Sequence, residues 1–140
     1  METNYLVVGG YAVALHGYPR YTKDLDVWIE RSPENARRIL AALTAFGFGS
    51  LDLKTEDFQK EDHIIQLGYP PNRIDILTTL SDMSFEDCHH AGIEIDIEGT
   101  RIRFIDLENL KKNKLATGRP QDMADLENLK DLRPDESNES

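Results

Sequence analysis

The sequence predicts an α+β domain, a mixed β-sheet with helices packed on it. Two observations lead there. Short alternating or continuous apolar runs at 5–8, 24–30, 63–67, 73–77, 93–97 and 101–105 read as strands. Between them lie segments of helical apolar spacing that open on capping residues, Ser32, Ser84 and Asp106. A chain of 140 residues with 39% hydrophobic content builds one core. Residues 1–132 are therefore read as one domain. Residues 133–140 lack apolar side chains and read as a disordered acidic tail.

The elements follow in order. Tyr5-Leu6-Val7-Val8 is a short buried strand that Gly9-Gly10 ends. Tyr11 to His16 is a short helix with Ala12 and Leu15 inward, closed by Gly17. After a loop over 18–23, residues 24–30 alternate, with Leu25, Val27 and Ile29 on one face and Asp24, Asp26, Trp28 and Glu30 on the other. Ser32-Pro33 opens a helix whose Ile39, Leu40, Leu43 and Phe46 share a face, and Gly47 stops it. Residues 48–62 carry no clear period. Strands at 63–67 and 73–77 flank a turn with Pro70-Pro71, and Ile74 and Ile76 face away from Asp75. Glu98-Gly99-Thr100 is a hairpin signal. Asp106 caps a helix that Gly118-Arg119-Pro120 breaks, and a last helix directs Met123, Leu126, Leu129 and Leu132 at the core.

Charge and composition exclude several classes of function. The net charge is −10, which argues against a protein that coats nucleic acid by bulk attraction. No run of about 18 apolar residues exists, so no membrane span is expected. The start lacks a secretion pattern, and the single cysteine, Cys88, forms no internal bridge, so a cytoplasmic protein is expected.

Asp24-Leu25-Asp26 taken alone is weak, because acids two residues apart occur five times in this acidic chain. Its context is more specific. A strand, Gly-Gly, a short helix and a strand with two carboxylates on one face are followed by a strand that carries a third, Asp75. Three carboxylates at one level of a sheet need a cation, and hard oxygen ligands select Mg²⁺ or Mn²⁺. Gly9-Gly10 lets a ligand approach the backbone, and free N–H groups at the start of the following helix suit a phosphate. Metal-holding acids beside a phosphate cradle describe phosphoryl or nucleotidyl transfer.

Gly9-Gly10-Tyr11-Ala12, His16-Gly17, Arg20, Thr22 and Asp24-Leu25-Asp26 together resemble the signature of the polymerase-β-like nucleotidyltransferase superfamily. The likeness is greatest to its small bacterial branch of AbiEii-like, abortive-infection and toxin–antitoxin (MNT-like) proteins. Residues 71–78 resemble that branch's third-acid strand, and 113–126 its lysine–arginine–aspartate motif. The resemblance spans roughly residues 5–132. It implies a minimal nucleotidyltransferase fold in which Asp24, Asp26 and Asp75 hold two Mg²⁺ ions, with Mn²⁺ as the alternative. It also implies Asp75 as general base, Gly9 and Gly10 on the β- and γ-phosphates, and Lys114 neutralising triphosphate charge. Arg20, Thr22 and Arg119 are candidate nucleotide contacts. The implied reaction is attack of a hydroxyl on the α-phosphorus of a nucleoside triphosphate, releasing pyrophosphate. Implied acceptors are a tRNA 3′ end, a partner protein or a small hydroxylated molecule. The alternative is a catalytically weak nucleotidyltransferase-like module that acts by binding a partner such as a toxin or antitoxin.

Other conspicuous residues have simpler readings. His16 is expected to pack or cap its helix, and Trp28 to cover the sheet. Cys88-His89-His90 with His63 is a poor zinc set, since neighbours on a helix point apart. Arg119 and Asp122 fit an ion pair three residues apart as well as an active-site role.

Overall fold

The computed structural model describes residues 3–17, 24–48, 52–68, 73–81 and 83–129. Its six strands form one mixed sheet in the order β3-β4-β2-β1-β6-β5. The elements run β1 (Tyr5–Val8), α1 (Gly9–Leu15), β2 (Leu25–Ile29), α2 (Pro33–Leu43), β3 (Ile64–Leu67), β4 (Ile74–Leu77), α3 (Phe85–Ala91), β5 (Ile93–Ile97), β6 (Thr100–Phe104), α4 (Leu107–Thr117) and α5 (Pro120–Leu129). The pairs β1/β2, β3/β4 and β5/β6 are antiparallel, while β1/β6 and β2/β4 are parallel. This is the expected α+β architecture.

Both faces of the sheet are covered. On one, Leu6, Val8 and Trp28 meet α1, α3, α4 and α5 through Ala12, Val13, Cys88, Leu107, Leu110 and Leu129. On the other, Ile29, Ile65, Leu67 and Ile76 pack with Ala36 and Ile39 of α2 and with Phe58. Trp28 is 1% exposed and meets Phe85 edge to face at 5.1 Å, so it covers the sheet from within. His16 is equally buried, its Nε2 2.8 Å from the Ile105 carbonyl.

Local chemistry explains most element ends. The Ser32, Ser84 and Asp106 side chains accept from the backbone N–H three residues on, at 3.2, 3.3 and 3.3 Å. Glu98 and Gly99 both have positive φ, the two-residue turn that matches strand twist, so the hairpin is one residue tighter than 98–100. The buried Asn35 ties the sheet's far end. It accepts from Asn4 N–H at 2.7 Å and donates to the carbonyls of Asn4 and Glu30.

Four expectations fail in detail. The first helix starts at Gly9, so the glycine pair is its first turn and not a preceding loop. Phe46 is 82% exposed, because α2 ends at Leu43 and a wider turn over 44–48 swings the ring outward. The periodless stretch hides a helical turn, Thr55–Phe58, that buries Phe58. In α5 the inner face is Asp122, Asp125 and Leu129, whereas Met123 is 44% exposed and Leu126 half-buried. The loop over 18–23, the Pro70-Pro71 turn, Leu132 and the tail 133–140 lie outside the described residues. Among the described residues, no helix is long and apolar enough to cross a membrane.

Trp28→Ala is expected to cost about 3–5 kcal/mol, since the emptied space lies between sheet and helices and cannot collapse freely. Urea unfolding followed by circular dichroism measures it.

Candidate active site

The sheet brings the three predicted acids together at the starts of two of its inner strands. Asp26 pairs in register with Val8, the last residue of β1, and with Asp75 on the parallel strand β4. Side chains at the same level of neighbouring strands share a face, so Asp26 and Asp75 stand side by side. Asp24 precedes β2 on that face. The backbone there is pinned by Leu25 N–H donating to the Arg73 carbonyl at 3.1 Å.

Arg73 had no assigned role, and it lies at the centre of the group. Its Nε donates to Asp75 Oδ1 at 3.0 Å, and one terminal nitrogen reaches Asp75 Oδ2 at 3.3 Å and Asp24 Oδ2 at 3.0 Å. The guanidinium thus bridges Asp24 and Asp75 through its fork. The usable signal was its spacing, because residue 73 sits two before Asp75 and shares its face. Asp26 is outside this bridge. Burial first, then the charges of Asp75 and Asp24, push its pKa from the usual 3.8 to about 6, against the pull of Lys114 and Arg119.

Gly9 closes the site on the β1 side. Its φ is +69°, and a Cβ there would run into the Asp26 carboxylate. Glycine is what lets the chain turn from β1 into α1 against that acid. Gly10 is buried beside it.

Lys114 is buried against two other acids, and its charge still acts on Asp26. Its side chain is 5% exposed, with Nζ 3.2 Å from Asp122 Oδ1 and 3.0 Å from Asp125 Oδ2. Burial alone would raise the pKa of Asp122. Hydrogen bonds from Arg119, Thr117 and Lys114 outweigh it and hold Asp122 well below the usual carboxylate range. Arg119 is the outward member of the cluster: its side chain is 73% exposed, and its Nε lies 2.6 Å from Asp122 Oδ2. The ion-pair reading of Arg119 and Asp122 therefore describes their geometry. Arg20 and Thr22 lie outside the described residues.

In chemistry the donor set suits a hard divalent ion, with three carboxylates on adjacent strands and one of them short of counter-charge. Among the described residues, no three His, Cys, Asp or Glu side chains are gathered into a ready-made metal cage. The Arg73 guanidinium is what Asp24 and Asp75 hold.

A mixed sheet with paired acids opening one strand and a third on the parallel neighbour is the frame of a nucleotidyltransferase. The chain belongs to the family described as nucleotidyltransferase of unknown function (DUF6036), whose model matches residues 1–132. Two solved structures share the fold. One is TM1012 from Thermotoga maritima, described as a candidate nucleotidyltransferase: TM-score 0.59 and 19% identity, over 95% of this chain and 85% of that one. The other is the lincosamide antibiotic adenylyltransferase LnuA with lincomycin bound: TM-score 0.51 and 16% identity, over 92% and 87%. No curated protein matches the chain in sequence.

Two stability predictions follow from these charges. Lys114→Met removes the ammonium that the buried Asp122 and Asp125 share and is expected to cost about 3–5 kcal/mol in denaturant unfolding. A loss below about 1 kcal/mol would contradict the buried ion cluster. Asp26 works in the opposite sense. Its folded pKa lies above its unfolded one, so the folded state binds more protons between pH 3.8 and about 6. Its contribution to stability is then fully present below pH 3.8 and fades as pH rises to about 6. Asp26→Asn should raise the melting temperature in chelator at pH 7.5 and leave it nearly unchanged at pH 4.

Proposed function

We propose that this protein transfers a nucleoside monophosphate from a nucleoside triphosphate to a hydroxyl acceptor. The observation that carries the reading is the register of Asp26 with Asp75 against the Gly9 turn, with Asp24 tied to the same group. Asp24, Asp26 and Asp75 would hold divalent ions, Mg²⁺ or Mn²⁺. Such ions, when bound, neutralise charge on the attacking and leaving oxygens of an in-line displacement.

The remaining roles belong to the chain. Asp75 is the base that takes the acceptor hydroxyl's proton. The acceptor oxygen bonds to the α-phosphorus, the bond from that phosphorus to the bridging oxygen breaks, and pyrophosphate leaves. Gly9 and Gly10 admit the β- and γ-phosphates to the backbone, since neither has a side chain in the way. Arg119, whose side chain is 73% exposed and whose charge acts on Asp26, is a cation available to the triphosphate. Lys114 acts through its charge, which favours the ionised form of Asp26. Arg20 and Thr22 are proposed as further nucleotide contacts on the strength of the sequence signature.

The acceptor is a small hydroxylated molecule, a tRNA 3′ end or a partner protein's side chain. The net charge of −10 weighs against a long nucleic-acid footprint. A second reading, association with a partner as half of a toxin–antitoxin pair of the AbiEii-like kind, has one observation in its favour. An apolar groove of about 380 Å³ lies over the sheet face opposite the acids, lined by Val27, Leu43, Phe46, Phe48 and Ile74. Co-purification with a neighbouring gene product tests that reading.

Incubation with α-labelled nucleoside triphosphates, Mg²⁺ and each acceptor class is expected to transfer label. Asp26→Asn should reduce transfer by more than the about 10–100-fold that losing an outer-shell partner of a metal ligand costs, while the variant stays folded. Absence of both transfer and triphosphate binding in the unaltered protein would overturn the reading.

A further inference from the structure

We propose that Arg73 is a resident counter-cation, and that its guanidinium and a divalent ion compete for the Asp24 and Asp75 carboxylates. This rests on the metal-binding reading above and adds a residue to it. Three acids at the starts of neighbouring strands repel one another, and a positive charge placed among them lowers the cost of keeping them together. Arg73 supplies it from within the same strand face. Both oxygens of Asp75 and one of Asp24 receive its N–H groups, at 3.0 to 3.3 Å.

The arrangement is partly shielded from water. The Arg73, Asp24 and Asp75 side chains are 28%, 32% and 13% exposed, so the three interact more strongly than a surface pair would. A metal ion drawing on Asp75 takes an oxygen that now accepts from Arg73. It also places two positive charges beside a guanidinium fixed by its neighbours. The two cations therefore oppose each other, and the site exchanges one for the other. Arg73 acts as a positioning residue: it keeps the acids assembled without metal and weakens metal binding by the amount it must be displaced.

The experiment measures Mn²⁺ binding by electron paramagnetic resonance and melting temperature in chelator, on the full chain without nucleotide. Arg73→Met removes the charge and keeps the aliphatic stem. It is expected to bind Mn²⁺ more tightly, on the order of tenfold, to melt lower in chelator, and to gain more from added Mn²⁺. Arg73→Lys keeps a charge but loses the fork and should fall between. In the unaltered protein, Mg²⁺ titration should move the Arg73 Nε–H resonance from a hydrogen-bonded to a solvated position, a readout that needs no variant. Equal Mn²⁺ affinity in Arg73→Met and the unaltered protein, with binding lost in Asp26→Asn, would overturn the competition alone. An unmoved Nε–H resonance at saturating Mg²⁺ would do the same. No Mn²⁺ binding in any of these proteins would overturn the metal reading and this inference together.

Discussion

Negative charge gathered at the starts of two inner strands is the constraint on which the rest of this structure depends. Pairing β2 with β1 on one side and β4 on the other places Asp26 between Val8 and Asp75. No strand slip relieves this crowding, because a shift of one residue would turn Trp28 to the opposite face. The protein meets the charge with cations at two depths. Arg73 bridges Asp24 and Asp75 at the starts of β2 and β4, and Lys114 and Arg119 act on Asp26 from the α4–α5 side.

The α4–α5 joint is built around the deeper of these cations. Gly118 takes a left-handed conformation at the end of α4, and α5 then folds back so that Asp122 and Asp125 reach Lys114. Asp122 also accepts from the Thr117 hydroxyl and the Arg119 side chain. A buried ion cluster of this kind specifies one arrangement, since any other leaves a charge unpaired in a poorly solvated interior. The charges of Lys114 and Arg119 act on Asp26 and so link the packing of the last two helices to the electrostatics of the site.

The two faces of the sheet divide the labour. The face with the acids continues directly into the core around Trp28 and Leu6, so the carboxylates stand on a rigid support. The opposite face is covered by α2 and Phe58, with an apolar groove left beside Phe46 and Phe48. The family model, spanning nearly the whole chain, places this architecture among nucleotidyltransferases.

The sequence by itself determined the strands, the capped helix starts and the three acids, because each rests on local spacing: alternation puts Asp24, Asp26 and Trp28 on one face, and Ser32, Ser84 and Asp106 cap their own helices. It also placed Gly9 beside the acids. Tertiary structure alone decided the partners. Met123 and Leu126 look like the inner face of the last helix by hydrophobicity. The true inner face carries Asp122 and Asp125, because a lysine on another helix offsets the cost of burying them. Phe46 fits a helical stripe, yet the chain leaves the helix before reaching it. Spacing set Arg73 beside Asp75, and it reached Asp24 only once β4 lay parallel to β2. A side chain's charge is a property of its residue, but the neighbour that compensates it, here 49 positions away in sequence for Arg73 and Asp24, is a property of the fold.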